Sequence, residues 1–166
     1  MLSGVLQPWL VATAICAVFV ALESVMAGRG VEAFMKALRQ PRWAPPLPVW
    51  IAIGVVYYLL CVVVMTRLLA HRIVPSASLA LLLTVMTANA VWNFLLFRQR
   101  AFGRAAAYLV AYAGLVITLV VTLWRADRLS AELFAGYALY LLYALPWNIV
   151  VWRMNRVAPA IEGEIS

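Results

Sequence analysis

The sequence predicts an all-α membrane protein: a five-transmembrane-helix bundle with a long first cytoplasmic loop, forming one domain over residues 1–166. Three observations predict it. Of the 166 residues, 67% are hydrophobic and 11% charged, against about half and about a quarter in soluble domains. The apolar residues fall into five runs of the length that crosses a bilayer, roughly 17–25 residues. Short connections separate the runs and leave no room for a soluble catalytic domain. The net charge of +7 would also suit nucleic acid, but the arginines are scattered between apolar blocks instead of forming one stripe. They read as topology signals, and no nucleic-acid partner is expected.

The first helix covers about 5–27. Although "VMAG" would pass as a cleavage sequence, the run has no positive n-region and exceeds a typical h-region, so it reads as a retained helix. The remaining helices cover about 49–69, 77–97, 104–124 and 131–152. Only the connection at 28–48 is long. It begins with "VEAFMKALR", which puts Val31, Phe34, Met35 and Leu38 on one face of a short interfacial helix. "RQPRWAPPLP" follows, where Pro41, Pro45, Pro46 and Pro48 hold φ near −65° and lack amide donors. Physics leaves two readings of this stiff, basic stretch. One is a lid over the mouth of the bundle; the other is an interfacial turn, with Trp43 as an aromatic anchor and the arginines on lipid phosphates.

Orientation follows from the cations. Arg29, Lys36, Arg39, Arg42, Arg98, Arg100, Arg104, Arg153 and Arg156 share one side, against Arg67, Arg72, Arg125 and Arg128 on the other. The positive-inside rule puts the richer side, with the C-terminus, in the cytoplasm and the N-terminus outside.

Polar groups within a membrane span are costly and mark bundle interiors or sites. Asn89, Trp92 and Asn93 are spaced i, i+3, i+4 in the third helix. Tyr137, Tyr140, Ala144, Trp147 and Asn148 form a similar stripe in the fifth, where Pro146 frees the Leu142 carbonyl. Tyr57, Tyr58, Tyr108 and Tyr112 add hydroxyl-bearing rings. Such groups either glue helices together or line a cavity. Trp50, Trp124 and Trp152 sit where an interfacial aromatic belt would place them. Glu23, near the end of the first helix, is expected to pair with Arg29 or Arg42. Cys16 and Cys61 show no metal or disulfide spacing and read as small hydrophobes between helices. Lone His71, in a short external loop, has no second haem ligand beside it. With no nucleophile next to a base and no buried carboxylate pair, no catalytic or metal-binding residue is assigned and an enzyme is not indicated. A cavity of indoles, phenols and amides would suit a large, flat, mostly apolar ligand.

Over about residues 34–155 these motifs resemble the TspO/MBR family, the tryptophan-rich sensory proteins and translocator proteins (peripheral benzodiazepine receptors), with the chain similar to a divergent bacterial-type member. The family's Lys-Pro-x-Trp-x-Pro-Pro signature resembles "QPRWAPP", with Gln40 for the Lys. Tyr58 falls on the second-helix Tyr, and Asn89 with Trp92 on the Asn-x-x-Trp pattern. Tyr137, Asn148, Arg153 and Asn155 follow the fifth-helix run.

The resemblance implies a membrane receptor or sensor for porphyrin-like or other flat hydrophobic ligands, held in an intrahelical pocket capped by the 28–48 loop. A small transporter and a porphyrin-degrading enzyme are the alternatives. It also implies a homodimer in a bacterial cell membrane. No cofactor is obligatory; porphyrin or haem would be a ligand. The residues implied at the pocket are Trp43, Trp50, Tyr58, Asn89, Trp92, Tyr140 and Asn148, with Arg39 and Arg42 available to propionates. Gly54 and Tyr140 stand where the family carries tryptophans, and Ile149 where its sterol pattern has Tyr. These departures count against photochemical degradation and against sterol binding through that pattern, and less against ligand binding itself.

Overall fold

The computed structural model describes residues 3–70 and 76–156; His71 and Arg72 lie outside the described residues. Six helices follow in order: α1 Ser3–Ala27, α2 Val31–Ala37, α3 Leu47–Ala70, α4 Ser76–Asn93, α5 Phe102–Ala126 and α6 Arg128–Asn155. A π-helical turn, Phe94–Arg98, extends α4. Five of these are long and apolar enough to cross a membrane, the five expected, with ends shifted by a few residues. Lipid offers the backbone no hydrogen bonds, so each span must satisfy itself. The hydroxyls of Ser24, Thr84, Thr87, Thr118 and Thr122 follow the same rule, each donating to the carbonyl four residues earlier.

Around the bundle α3 packs on α1, α1 on α4, α4 on α5 and α5 on α6; the contact of α6 with α3 that closes the ring is the thinnest. Leu10, Val18, Leu59, Ile117 and Leu139 face outward and exposed, as apolar side chains do when the surrounding solvent is lipid. Inside, Cys61, Met65, Leu82, Met86, Val116 and Phe134 build the main core. Both cysteines are free and buried. A second cluster, around Met35, Leu38, Leu96, Trp147 and Val151, joins α2 to α4 and α6.

Helix takes up much of the long connection expected between the first two spans, including the short amphipathic helix expected at its start. Gly28 and Gly30, at φ 79° and 87°, turn the chain out of α1 through the left-handed region that glycine enters without strain. Next, α2 folds onto the bundle with the predicted face inward: Met35 and Leu38 are buried, and Phe34 lies between the Phe97 and Phe102 rings. After α2, Leu38–Pro46 lies outside helices, and α3 starts at Leu47 with Pro48 in its first turn, where a missing N–H costs nothing.

At the far end, Arg67 meets Asp127 in a two-pronged pair at 2.6 and 2.7 Å, and the Ser130 hydroxyl donates to the same carboxylate. The Arg67 guanidinium holds the Asp127 carboxyl well below the usual carboxylate range. Because the folded value is depressed, the contribution is fully present above the ordinary carboxylate range and lost as pH falls through the depressed value. Asp127 is nearly buried, but Arg67 is 40% exposed, which reduces what the pair is worth. Asp127→Asn is expected to cost about 1–3 kcal/mol. Thermal unfolding in detergent should show the same deficit at every pH between about 5 and 8; a deficit that varies across that range would contradict the assignment.

Candidate functional site

A cavity of about 220 Å³ lies inside the bundle beneath α2. Towards α2 its walls are Trp50 from α3 and Trp147 from α6, ring centroids 4.6 Å apart. Deeper, Tyr57 stands 4.9 Å from Tyr137 and 5.2 Å from Tyr58. The Tyr112 and Tyr137 hydroxyls share a buried hydrogen bond of 2.9 Å. Glu23 and Asn89 face this space from α1 and α4. Four groups in the wall are buried without a hydrogen-bond partner: the indole N–H of Trp50 and of Trp147, and the hydroxyls of Tyr57 and Tyr58. Buried polar groups are normally paired; the two indole N–H groups can only donate and the two hydroxyls can donate or accept, so an occupant with an acceptor towards Trp50 and Trp147 would satisfy the indoles. Among the described residues no group of three metal-ligating side chains comes together.

Of the nine site residues expected, Trp50, Tyr58, Asn89, Trp92 and Tyr140 line this cavity. Trp50 thus stands in the wall and not in a lipid-facing belt, whereas Trp124 and Trp152 are exposed at span ends, beneath the guanidinium groups of Arg128 and Arg156. Asn148 is one layer further back and 2% exposed. Its Oδ1 accepts from the Trp92 indole at 3.3 Å and its amide donates to the Ala144 carbonyl at 3.0 Å, so it orients Trp92 instead of facing a ligand.

Arg39, Arg42 and Trp43 lie outside the cavity wall. The Arg39 N–H donates to Asn155 Oδ1 at 3.2 Å, and Asn155 Nδ2 returns a bond to the Arg39 carbonyl at 2.8 Å. Trp43, half exposed, packs edge-on against Tyr143 at 5.4 Å, and its carbonyl accepts from the Tyr143 hydroxyl. Asn155 of α6 holds the Arg39 backbone, and a turn closed by the Ala44 N–H on the Pro41 carbonyl carries Trp43 past the cavity. Over the cavity itself lie Val31 and Met35 of α2.

Glu23 also departs from expectation. It accepts a 2.5 Å bond from Asn89 Nδ2, and among the described residues neither Arg29 nor Arg42 forms an ion pair with it. Arg29 lies within the glycine turn that follows α1, while Glu23 belongs to the face that α1 presents to α4. The wall residues not expected as such, Tyr57, Tyr112, Tyr137 and Trp147, had a readable signal in part: Tyr137, Tyr140, Ala144 and Trp147 repeat at three, four and three residues along α6.

Gly54 lines the cavity at an exposed position, and a Cβ there would meet no atom within 4 Å. Ile51, one turn earlier, both lines the cavity and is 59% exposed. The cavity is therefore open on its α3 flank, beside the thin seam with α6.

The π-helical turn after α4 brings Phe97 to the cavity rim. Gln99 N–H bonds to the Phe94 carbonyl and Ala101 N–H to that of Leu95; Arg100 takes φ 52° to close the turn, with its guanidinium 5.5 Å from the Phe34 ring centre.

A search of curated proteins finds no match to the chain. Residues 12–153, which reach into all five spans, match the TspO/MBR family. The chain belongs to the TspO/MBR family.

Proposed function

We propose that the protein is a membrane receptor or sensor that holds a porphyrin-like or other flat hydrophobic ligand in the cavity beneath α2. The observation that carries this is the set of orphaned donors in an aromatic, otherwise apolar space. Rings supply stacking surface, and the Trp50 and Trp147 N–H groups are free to meet carbonyl or carboxylate oxygens. Family membership supports the coarser statement, a membrane sensor or transporter of hydrophobic ligands. The volume of about 220 Å³ is below the roughly 300–1,000 Å³ of common ligand pockets. A tetrapyrrole would therefore project through the flank at Ile51 and Gly54 or displace α2.

In this reading the arginine-rich end faces the cytoplasm, the N-terminus lies outside, and two copies pair as a homodimer in a bacterial cell membrane. A small transporter is the second reading; the open α3 flank favours it, because a ligand could exchange with the bilayer there. Flux of ligand across proteoliposomes separates the two.

Titration of the purified chain with protoporphyrin IX, followed by tryptophan quenching, tests the binding. Saturable quenching is expected, with affinity lowered about tenfold in Trp50→Ala and changed less than about twofold in Trp43→Ala. Non-saturating quenching would remove the porphyrin reading.

A further inference from the structure

The porphyrin reading leaves Glu23 without a role. It is the one carboxylate among the residues lining the cavity, and it sits inside a membrane span. Its Oε1 accepts from Asn89, the Tyr58 hydroxyl is its neighbour, and among the described residues no Lys or Arg pairs with it. An intramembrane carboxylate is costly unless something satisfies it, and one amide does not balance a charge. The rings of Tyr57, Tyr58, Trp92, Tyr137 and Tyr140 line the same cavity, with Tyr58 next to the carboxylate. Aromatic faces attract cations, most strongly where water is excluded, and ring-lined cages are a general means of holding ammonium groups. An acid within such a cage adds a direct charge partner in a medium of low dielectric constant.

We propose that this cavity binds hydrophobic ammonium ions, with the cationic nitrogen between Glu23 and the tyrosine rings and the apolar body towards Trp50 and Trp147. This rests on the proposed function only in taking the cavity as a ligand site. It also sets an orientation for acidic ligands: Glu23 repels carboxylates from the deep end and directs propionates towards the Trp50 and Trp147 donors. The open flank at Ile51 and Gly54 gives an amphiphilic amine a way in from the lipid.

The test uses the full chain in phosphatidylcholine nanodiscs and two tritiated probes of the same shape. One is trimethyl(naphthalen-2-ylmethyl)ammonium, and the other is 2-(2,2-dimethylpropyl)naphthalene, in which carbon replaces the nitrogen and removes the charge. Binding to protein-free nanodiscs is subtracted. Saturable binding of the ammonium is expected, weakened about tenfold in Glu23→Gln and in Glu23→Ala, with the hydrocarbon bound alike by all three proteins. Glu23→Gln keeps an oxygen for Asn89, and unchanged hydrocarbon binding reports an intact cavity. Equal ammonium affinity in wild type and both variants would overturn the proposal. So would saturable binding of the hydrocarbon without the ammonium, which would leave the apolar-ligand reading standing. Binding of neither probe would overturn both.

Discussion

Trp147→Ala is expected to destabilise the protein by about 3–5 kcal/mol, the range for removing a large aromatic side chain from a packed interior. Trp147 is 1% exposed, packs at a tilt against Trp50, and joins Met35 and Leu38 of the α2 region to Leu96 and Val151. Between helices in lipid, burial from water contributes little, and contact between well-fitted surfaces holds the elements together. Alanine would leave a void where three segments meet. Its indole N–H has no partner, so the loss is one of packing and not of a hydrogen bond. Thermal unfolding in detergent should show a clearly lower midpoint, with Trp147→Phe recovering part of it. Hydrogen exchange should rise first in Val31–Ala37, since that helix depends on this contact. A midpoint within about 2 °C of wild type would mean that α2 is held by something else.

Trp92 is expected to govern ligand binding through its ring and the order of the wall through its N–H. Trp92→Ala removes a face of the cavity and should weaken protoporphyrin binding more than about tenfold. Trp92→Phe keeps a ring but strands Asn148 Oδ1, which is buried against α4 with the indole as its donor. An orphaned buried acceptor costs about 1–3 kcal/mol, so Phe should preserve most of the affinity while lowering the unfolding midpoint. Replacing Asn148 by Leu in the Trp92→Phe protein should restore some stability, because both polar partners are then gone. If Trp92→Ala binds as wild type does, the cavity is not the porphyrin site. If Trp92→Phe is as stable as wild type, the bond to Asn148 is not a structural one.

Before α3, the proline stretch is held rigidly without lining the cavity. Its prolines set a path that needs few amide partners, Asn155 pins it through both sides of the Arg39 backbone, and Trp43 closes against Tyr143. Rigidity there holds α2 in place from the C-terminal side, as Gly28 and Gly30 set its entry on the other. Over the cavity lie Val31 and Met35 of α2, a short amphipathic helix that the same sequence announces by the spacing of its apolar residues.

What the sequence determined by itself was whatever depends on neighbours within a few turns. The five spans were legible because a chain in lipid has one way to satisfy its backbone, and a run such as 104–124 leaves no alternative to a helix. The inward face of α2 and the stripe from Tyr137 to Trp147 were legible because helical spacing alone puts those residues together. Only the tertiary structure decided the partner of Glu23, which lies 66 residues away at Asn89, and the course of Arg39, set by Asn155 at a separation of 116. It also decided that Asn148 faces Trp92 rather than the cavity. Each of these depends on the rotation and approach of whole helices, which packing of the entire bundle fixes and which no local pattern of residues encodes.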